Sequence, residues 1–396
     1  MKSNKWIYPI LLLAFLVAAC AQQKMPKSTN SPKTDTISEI MTGRCEEIVS
    51  IYRDLHTQTE KNNPENQWQE PSLPQSAIDA IETLLIEAGL PVLDTKEHYP
   101  AHLTDATAFQ QFWDAANAGE DVRQEIISIR KSGSLAYRLF TCENGIPYVY
   151  SMHYPMAEES APIYEKHEIL EWELTDKGNF YYRIYPAGDK HIADFTLIRL
   201  AEPDRELYDM NRTYIRAAGY LGANIFLTDW SEENYGVLSF NDLLEYFYEA
   251  QTGKVFSPEE YAYDSEKDCY HIPAHEFESV ILPYFDITPE KLRENAQYNE
   301  AEDCYFWYPI QTNDYAFLKY YTIEPQVTSI HENQDGTITI YVELLSTDLK
   351  TDCLFSHAVT IRPFENGAFE YVANKITYQT EYGLPYSEPR QAWDRT

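Results

Sequence analysis

Ser132-Gly133, Glu143-Asn144-Gly145 and Asp176-Lys177-Gly178 punctuate a stretch rich in β-branched and aromatic residues. Each places glycine, with asparagine or a polar neighbour, between short alternating apolar segments, and that spacing dictates hairpins. Segments 125–131, 135–141, 146–154, 167–174, 180–185 and 193–200 read as strands. Tight turns join consecutive strands, so an antiparallel meander is the economical arrangement. The signal returns at Asp335-Gly336 and Asn366-Gly367, between strands expected at 327–331, 337–345, 357–363 and 368–378.

Ahead of the first turn the period is helical. Ile37, Ile40, Met41, Cys45, Ile48, Ile51, Tyr52 and Leu55 recur at helical spacing across 36–57. A second helix is expected over 74–88, with Ser72 as its cap, Ile78, Ile81, Leu84 and Leu85 on one face, and Gly89 as its stop. A third covers 106–118, with Phe109, Phe112 and Trp113 on one side. Later helices are expected at 203–217, at 240–251 behind Ser239 or Asn241, at 275–284 and at 289–296. The fold class is therefore α+β, with N-terminal helices, a central antiparallel β-meander, and a C-terminal α+β unit that closes with an antiparallel sheet. The expected divisions are a helical region at 36–120, a β-rich region at 121–255 and the C-terminal region at 256–396. At 396 residues the chain exceeds the usual size of one domain, so two or three packed units are expected.

The first nineteen residues read differently. Lys2 and Lys5 precede the apolar run 6–19, which ends in Val17-Ala18-Ala19-Cys20. That order is the one a secretory signal needs, and the run is shorter than the roughly 20 residues that span a bilayer. The residues before Cys20 resemble the lipobox of bacterial lipoproteins. The resemblance implies a signal peptide over 1–19, a diacylglyceryl group and palmitate on Cys20, and an extracytoplasmic membrane anchor. Two acyl chains suffice where one is marginal, since each buried methylene contributes about 0.8 kcal/mol. Residue 21 is alanine rather than aspartate, so nothing argues for retention at an inner membrane. Residues 20–35 hold almost no apolar side chains and read as a flexible tether. The polar stretch 57–74 reads as a long loop.

The net charge is -32, and loss of Lys2 and Lys5 with the signal would make it -34. A surface so acidic repels phosphate backbones, so nucleic acid is not an expected partner. It suits a solvated exterior, with capture of divalent cations as an alternative.

One internal echo stands out. Tyr263-Asp264-Ser265-Glu266-Lys267-Asp268-Cys269-Tyr270 matches Tyr298-Asn299-Glu300-Ala301-Glu302-Asp303-Cys304-Tyr305. Both copies read as strand, acidic turn and returning strand. If the hairpins lie side by side, Cys269 and Cys304 are the candidate pair for a disulfide, which an oxidising compartment permits. Cys45, Cys142 and Cys353 leave an odd count, so at least one buried free thiol is expected.

Recognised chemistry is sparse. There is no Gly-x-Ser-x-Gly elbow, no Ser-x-x-Lys set with its companions and no glycine-rich phosphate loop. His271 and His275 are the candidate metal ligands, four apart with Glu276 beside them, but Pro273 separates them into a strand end and a helix start. Asn333-Gln334-Asp335-Gly336 lacks calcium-loop ligands at its first and twelfth positions and reads as a turn. Glu168, Glu171, Glu173 and Asp176 flank Trp172, and Asp229 precedes Trp230, so acids stand near aromatic rings as a glycoside hydrolase needs, but in a chain this acidic such neighbours arise by chance and read as a solvated stripe. No catalytic residue and no cofactor is assigned. Pro273 to Glu278, Pro283-Tyr284-Phe285, Val359 to Pro363 and Phe369 to Asn374, together with the lipobox, resemble uncharacterised lipoproteins of clostridial Firmicutes. That resemblance implies a Gram-positive surface protein and supplies no activity. The expected role is a ligand-binding or protein-interaction module, with a surface protein or glycan as partner. The alternatives are an extracellular hydrolase of envelope glycan or peptide, and a divalent-cation-binding protein.

Overall fold

The computed structural model describes residues 33–61, 71–95, 100–157, 160–185, 194–220, 222–309, 323–382 and 389–390. The class is α+β, with N-terminal helices, a central meander and C-terminal antiparallel sheets. Three helices come first: α1 (Lys33–Gln58), α2 (Gln75–Glu87) and α3 (Ala106–Asn117). Asp105 caps α3, its carboxylate accepting from the Ala108 N–H at 3.0 Å. Ser72 does not cap α2. That helix starts directly after Pro74 with no side-chain cap, because the ring's fixed φ already sets the entry angle.

Two-residue strands β1 (Leu93–Asp94) and β2 (His102–Leu103) precede the meander. Its strands are β3 (Val122–Ile129), β4 (Leu135–Glu143), β5 (Ile146–Tyr154), β6 (Ile163–Leu174), β7 (Asn179–Ile184) and β8 (Thr196–Arg199). All eight form one sheet, ordered β1-β2-β8-β7-β6-β5-β4-β3. A parallel bridge between Val92 and Ile127, with the Ile127 N–H donating to the Pro91 carbonyl at 3.0 Å, brings the two ends together. The sheet therefore curls round on itself. Two residues carry no readable period, so β1 and β2 escape the sequence although they complete this closure.

Curling gives the sheet two apolar faces. Neighbouring residues in a strand point opposite ways. Ile126 joins Phe140, Phe180 and Ile198 around Phe109 and Phe112 of α3, while Ile127 joins Ile129, Tyr137 and Tyr150 against α1 and α2. The Phe109 and Phe180 rings meet nearly edge to face, with centroids 4.8 Å apart. Among the hairpin turns, Asn144 (φ 53) and Gly145 (φ 77) both take positive φ, as a type I′ turn requires. At Gly133 a Cβ would lie 2.4 Å from the His56 ring, so that turn packs on α1 only without a side chain.

Further along come α4 (Arg205–Met210), β9 (Trp230–Ser231), α5 (Leu244–Thr252), β10 (Ala262–Asp264), β11 (Cys269–Pro273), α6 (Ala274–Ile281), α7 (Pro289–Asn295), β12 (Tyr298–Asn299) and β13 (Cys304–Trp307). The helix expected at 203–217 is α4 followed by a π-helical turn, Asn211–Ile215. The one expected at 240–251 is a 3-10 turn followed by α5. Asn241 does not cap it; its side chain donates to the Gln297 and Phe306 carbonyls and accepts from the Gln297 N–H.

The closing sheet uses β14 (Ile323–Glu332), β15 (Ile338–Ser346), β16 (Thr351–Pro363) and β17 (Phe369–Gln379), in the order β14-β15-β16-β17-β9. Ile340, Val342, Phe355, Val359 and Tyr371 turn their side chains into the same core as Phe247 of α5 and Phe277 of α6. The meander meets this sheet through polar groups. Arg199 pairs with Glu324, Lys177 with Glu343, and Asp352 accepts from Asn179 (2.8 Å) and from the Tyr181 hydroxyl (3.0 Å). No helix among the described residues is long and apolar enough to cross a membrane.

Candidate functional site

Cys20 lies outside the described residues. Of the other residues singled out by sequence, the acids around the tryptophans come first. Glu171 pairs with Arg183 and Lys350, Glu173 with Lys350, and Asp229 with Lys375 and the Ile376 N–H. Trp172 packs among Phe112, Trp113 and Phe180, and Trp230 is buried with its indole N–H on the Ile225 carbonyl at 2.7 Å. Trp230 belongs to a core, and Trp172 packs partly buried against another.

The echoed hairpins do lie side by side, as β10-β11-β13-β12. Their antiparallel register sets Cys304 opposite Pro273, whereas Cys269 lies four residues back along β11. Four residues of strand span roughly 13 Å, against a disulfide limit of about 7 Å between Cα atoms. The expected pairing is therefore not made, and both are free thiols. Burial pushes the Cys269 thiol up to about 11 and Cys45 up to about 12. It raises Cys304 as well, and Cys353 to about 11. Thiols so shifted are poor nucleophiles at neutral pH.

His271 and His275 do not act together. His275 starts α6 with its side chain 83% exposed, 3.9 Å from Glu276. His271 instead sits between carboxylates, its Nδ1 2.7 Å from Glu302 and its Nε2 3.6 Å from Asp264. The donor groups close around it are Asp264 with Cys269, and Glu302 with Cys304. The neighbours of His271 come from Asp264 in its own hairpin and Glu302 in the second hairpin, and not from His275.

The feature that sequence reasoning missed is a cleft of about 590 Å³ between the meander and the closing sheet. Pro203, Leu207 and Tyr208 form one wall and Pro325 and Val327 another, with Arg199 and Asn211 among the polar lining. Asn211 begins the π-helical turn, is buried, and donates from Nδ2 to the Pro325 carbonyl at 2.6 Å. Its Oδ1 has no partner, and neither has the buried Arg199 Nε. Three of the four carboxylates lining the cleft are engaged, Glu324 by Arg199 and Arg216, Glu343 by Lys177, and Asp204 by capping α4 at the Leu207 N–H; the fourth is the exposed Glu202. Neither Asn211 Oδ1 nor Arg199 Nε has accessible surface, so both lie behind the cleft wall, and what the cleft offers a ligand is its size and its largely apolar lining. A π-turn is a common local signature of such sites, but nothing in the order of residues 203–217 announces it.

Fold and cleft define an α+β protein with a curled meander and a five-stranded closing sheet framing one polar, apolar-walled cavity. The chain belongs to a family of unknown function, DUF6070, whose family model matches residues 38–390. Comparison with curated proteins and with solved structures gives no match.

Proposed function

We propose that this is a lipid-anchored, extracytoplasmic binding protein of a Gram-positive cell surface. Its cleft takes a small amphipathic ligand. The observation that carries the ligand reading is the cleft of about 590 Å³ walled by Pro203, Leu207, Tyr208, Pro325 and Val327. The size is within the range of small-molecule sites, about 300–1,000 Å³. The anchor rests on Val17-Ala18-Ala19-Cys20 and the polar tether that follows.

The ligand test is a thermal-shift panel of amino-acid amides, dipeptides, mono- and disaccharides. At least one probe is expected to raise Tm by a few degrees at saturation, and Leu207→Trp, which narrows the cleft, is expected to abolish that rise. A panel that shifts nothing, or shifts both proteins alike, overturns the cleft as the site. For the anchor, Cys20→Ala is expected to move the protein from the membrane pellet to the soluble fraction. A variant still sedimenting with membranes in high salt overturns lipidation.

A further inference from the structure

The echoed hairpins are two copies of one local structure. Asp268 and Asp303 both take positive φ (56 and 49), and the Tyr263 and Tyr298 hydroxyls donate to them. Asp264 Oδ1 accepts from the Glu266 N–H at 2.9 Å, as Asn299 Oδ1 does from Ala301 at 3.2 Å. Cys269 corresponds to Cys304, so His271 corresponds to Phe306, and β11 and β13 pair with those two residues facing each other. A pseudo-twofold axis therefore passes between them. Tyr270, Ile272, Tyr305 and Trp307 pack toward the core, which leaves Cys269, His271, Cys304 and Phe306 together on the opposite face.

The copies depart from each other where metal chemistry would require it. The first has Asp264 and His271 where the second has Asn299 and Phe306. We propose that the first hairpin binds a divalent metal ion of the zinc class through Asp264 Oδ2, Cys269 Sγ and His271 Nε2. The second hairpin holds the imidazole in place through Glu302.

Three measurements carry this assignment. First, Glu302 lies 2.7 Å from His271 Nδ1, a direct hydrogen bond that places the proton on Nδ1 and turns the Nε2 lone pair the other way. A carboxylate on the far nitrogen is the usual support of a metal-bound histidine. Second, Nε2 is buried with no hydrogen-bond partner, although Asp264 Oδ2 is 3.6 Å away. With the proton on Nδ1, Nε2 and the carboxylate face each other as two lone-pair acceptors, an arrangement that a cation between them satisfies. Third, zinc bonds of about 2.0–2.2 Å to nitrogen and oxygen at a tetrahedral angle separate those two atoms by about 3.4 Å, close to the 3.6 Å found. The 2.7 Å on the Glu302 side is too short for an intervening ion.

All three donor atoms lie within 4.8 Å of one another. Cys304 belongs to the supporting shell, its Sγ directed at Glu302 at 4.0 Å. Lys267, with its ammonium 3.6 Å from Asp264 Oδ2 and lying over the Phe306 ring, is half-exposed and long enough to give way. Binding deprotonates the Cys269 thiol and releases that proton to solvent.

The test is titration of the reduced, chelator-treated protein with Co²⁺ alone. A thiolate-to-cobalt charge-transfer band is expected to saturate at one equivalent and to disappear when Zn²⁺ is added. Cys269→Ser is expected to lose the band, while Cys304→Ser keeps it at the same stoichiometry. His271→Phe, which installs the residue the second copy already carries, is expected to weaken binding at least tenfold. Glu302→Gln is expected to weaken it by about 10–100-fold. Absence of the band in the wild type overturns the site, as does a band that survives Cys269→Ser or is lost in Cys304→Ser. Circular dichroism of each variant separates loss of the site from loss of the fold.

Discussion

Arg390→Ala is expected to lower stability by about 3–5 kcal/mol, the cost of breaking a buried ion pair from one side. Arg390 is 4% exposed, and its guanidinium donates to the carbonyls of Gly222 (3.1 Å), Tyr308 (3.1 Å) and Asp242 (3.0 Å) and to Glu245 at 2.6 Å. Its own N–H donates to the Asp242 carboxylate at 3.2 Å. Asp242 is 2% exposed, so removing the guanidinium deprives a carboxylate in the core of a charge partner 3.7 Å away. The measurement is the urea midpoint of the variant against the wild type at unchanged slope. Asp242→Asn in the Arg390→Ala background should recover part of the loss, because a buried charge that has lost its guanidinium partner is removed. A midpoint shift below 1 kcal/mol, or simple additivity of the two changes, would show that Arg390 merely rests on the surface.

The second large effect is a dependence of stability on pH that one histidine sets. His357 is fully buried in β16, its Nδ1 2.7 Å from Asn374 Oδ1 and its Nε2 2.7 Å from the Tyr220 hydroxyl. Asn374 donates its amide N–H to the Thr228 carbonyl, so its oxygen is the acceptor. Nδ1 therefore carries the proton, and Nε2 accepts from Tyr220. Burial pushes the ring down to about 4, partly opposed by the Asn374 bond. The unfolded chain takes up a proton near 6.5 and the folded one does not until about 4. Stability is thus fully present above 6.5 and falls as pH drops from there toward 4. At 1.36 kcal/mol per unit, the loss is about 3 kcal/mol. His357→Gln keeps one donor and one acceptor and does not titrate. Between pH 7.5 and 4.5 the wild type should lose 2–3 kcal/mol more than this variant, and equal losses would refute the assignment.

His357 also shows what a closer reading of the strand makes legible. Phe355, His357, Val359 and Ile361 alternate along β16, and all four are buried. Starting that strand at 357 hid its first inward residues, and with them the signal that the histidine shares a core face. Arg390 carries no such signal. It follows a polar, proline-containing tail, and its partners lie more than eighty residues away in sequence. The cleft is similar, since Arg199 and Asn211 become neighbours of Glu324 and Pro325 only when β14 docks beside β8 and α4.

By itself, the sequence determined the elements whose cause is local. The 3.6-residue period placed α1, α2 and α3, and glycine or asparagine at positive φ placed the hairpins of the meander and the closing sheet. It also marked Cys20 and the two echoed hairpins. Tertiary structure decided everything that depends on register and on meetings between distant segments. It closed the meander through β1 and β2 and paired β11 against β13 antiparallel. That register parts Cys269 from Cys304 and leaves His271 between Asp264 and Glu302. The reason is physical: turn and helix preferences are properties of a few adjacent residues, whereas register is chosen by the buried faces of strands that the sequence does not place side by side.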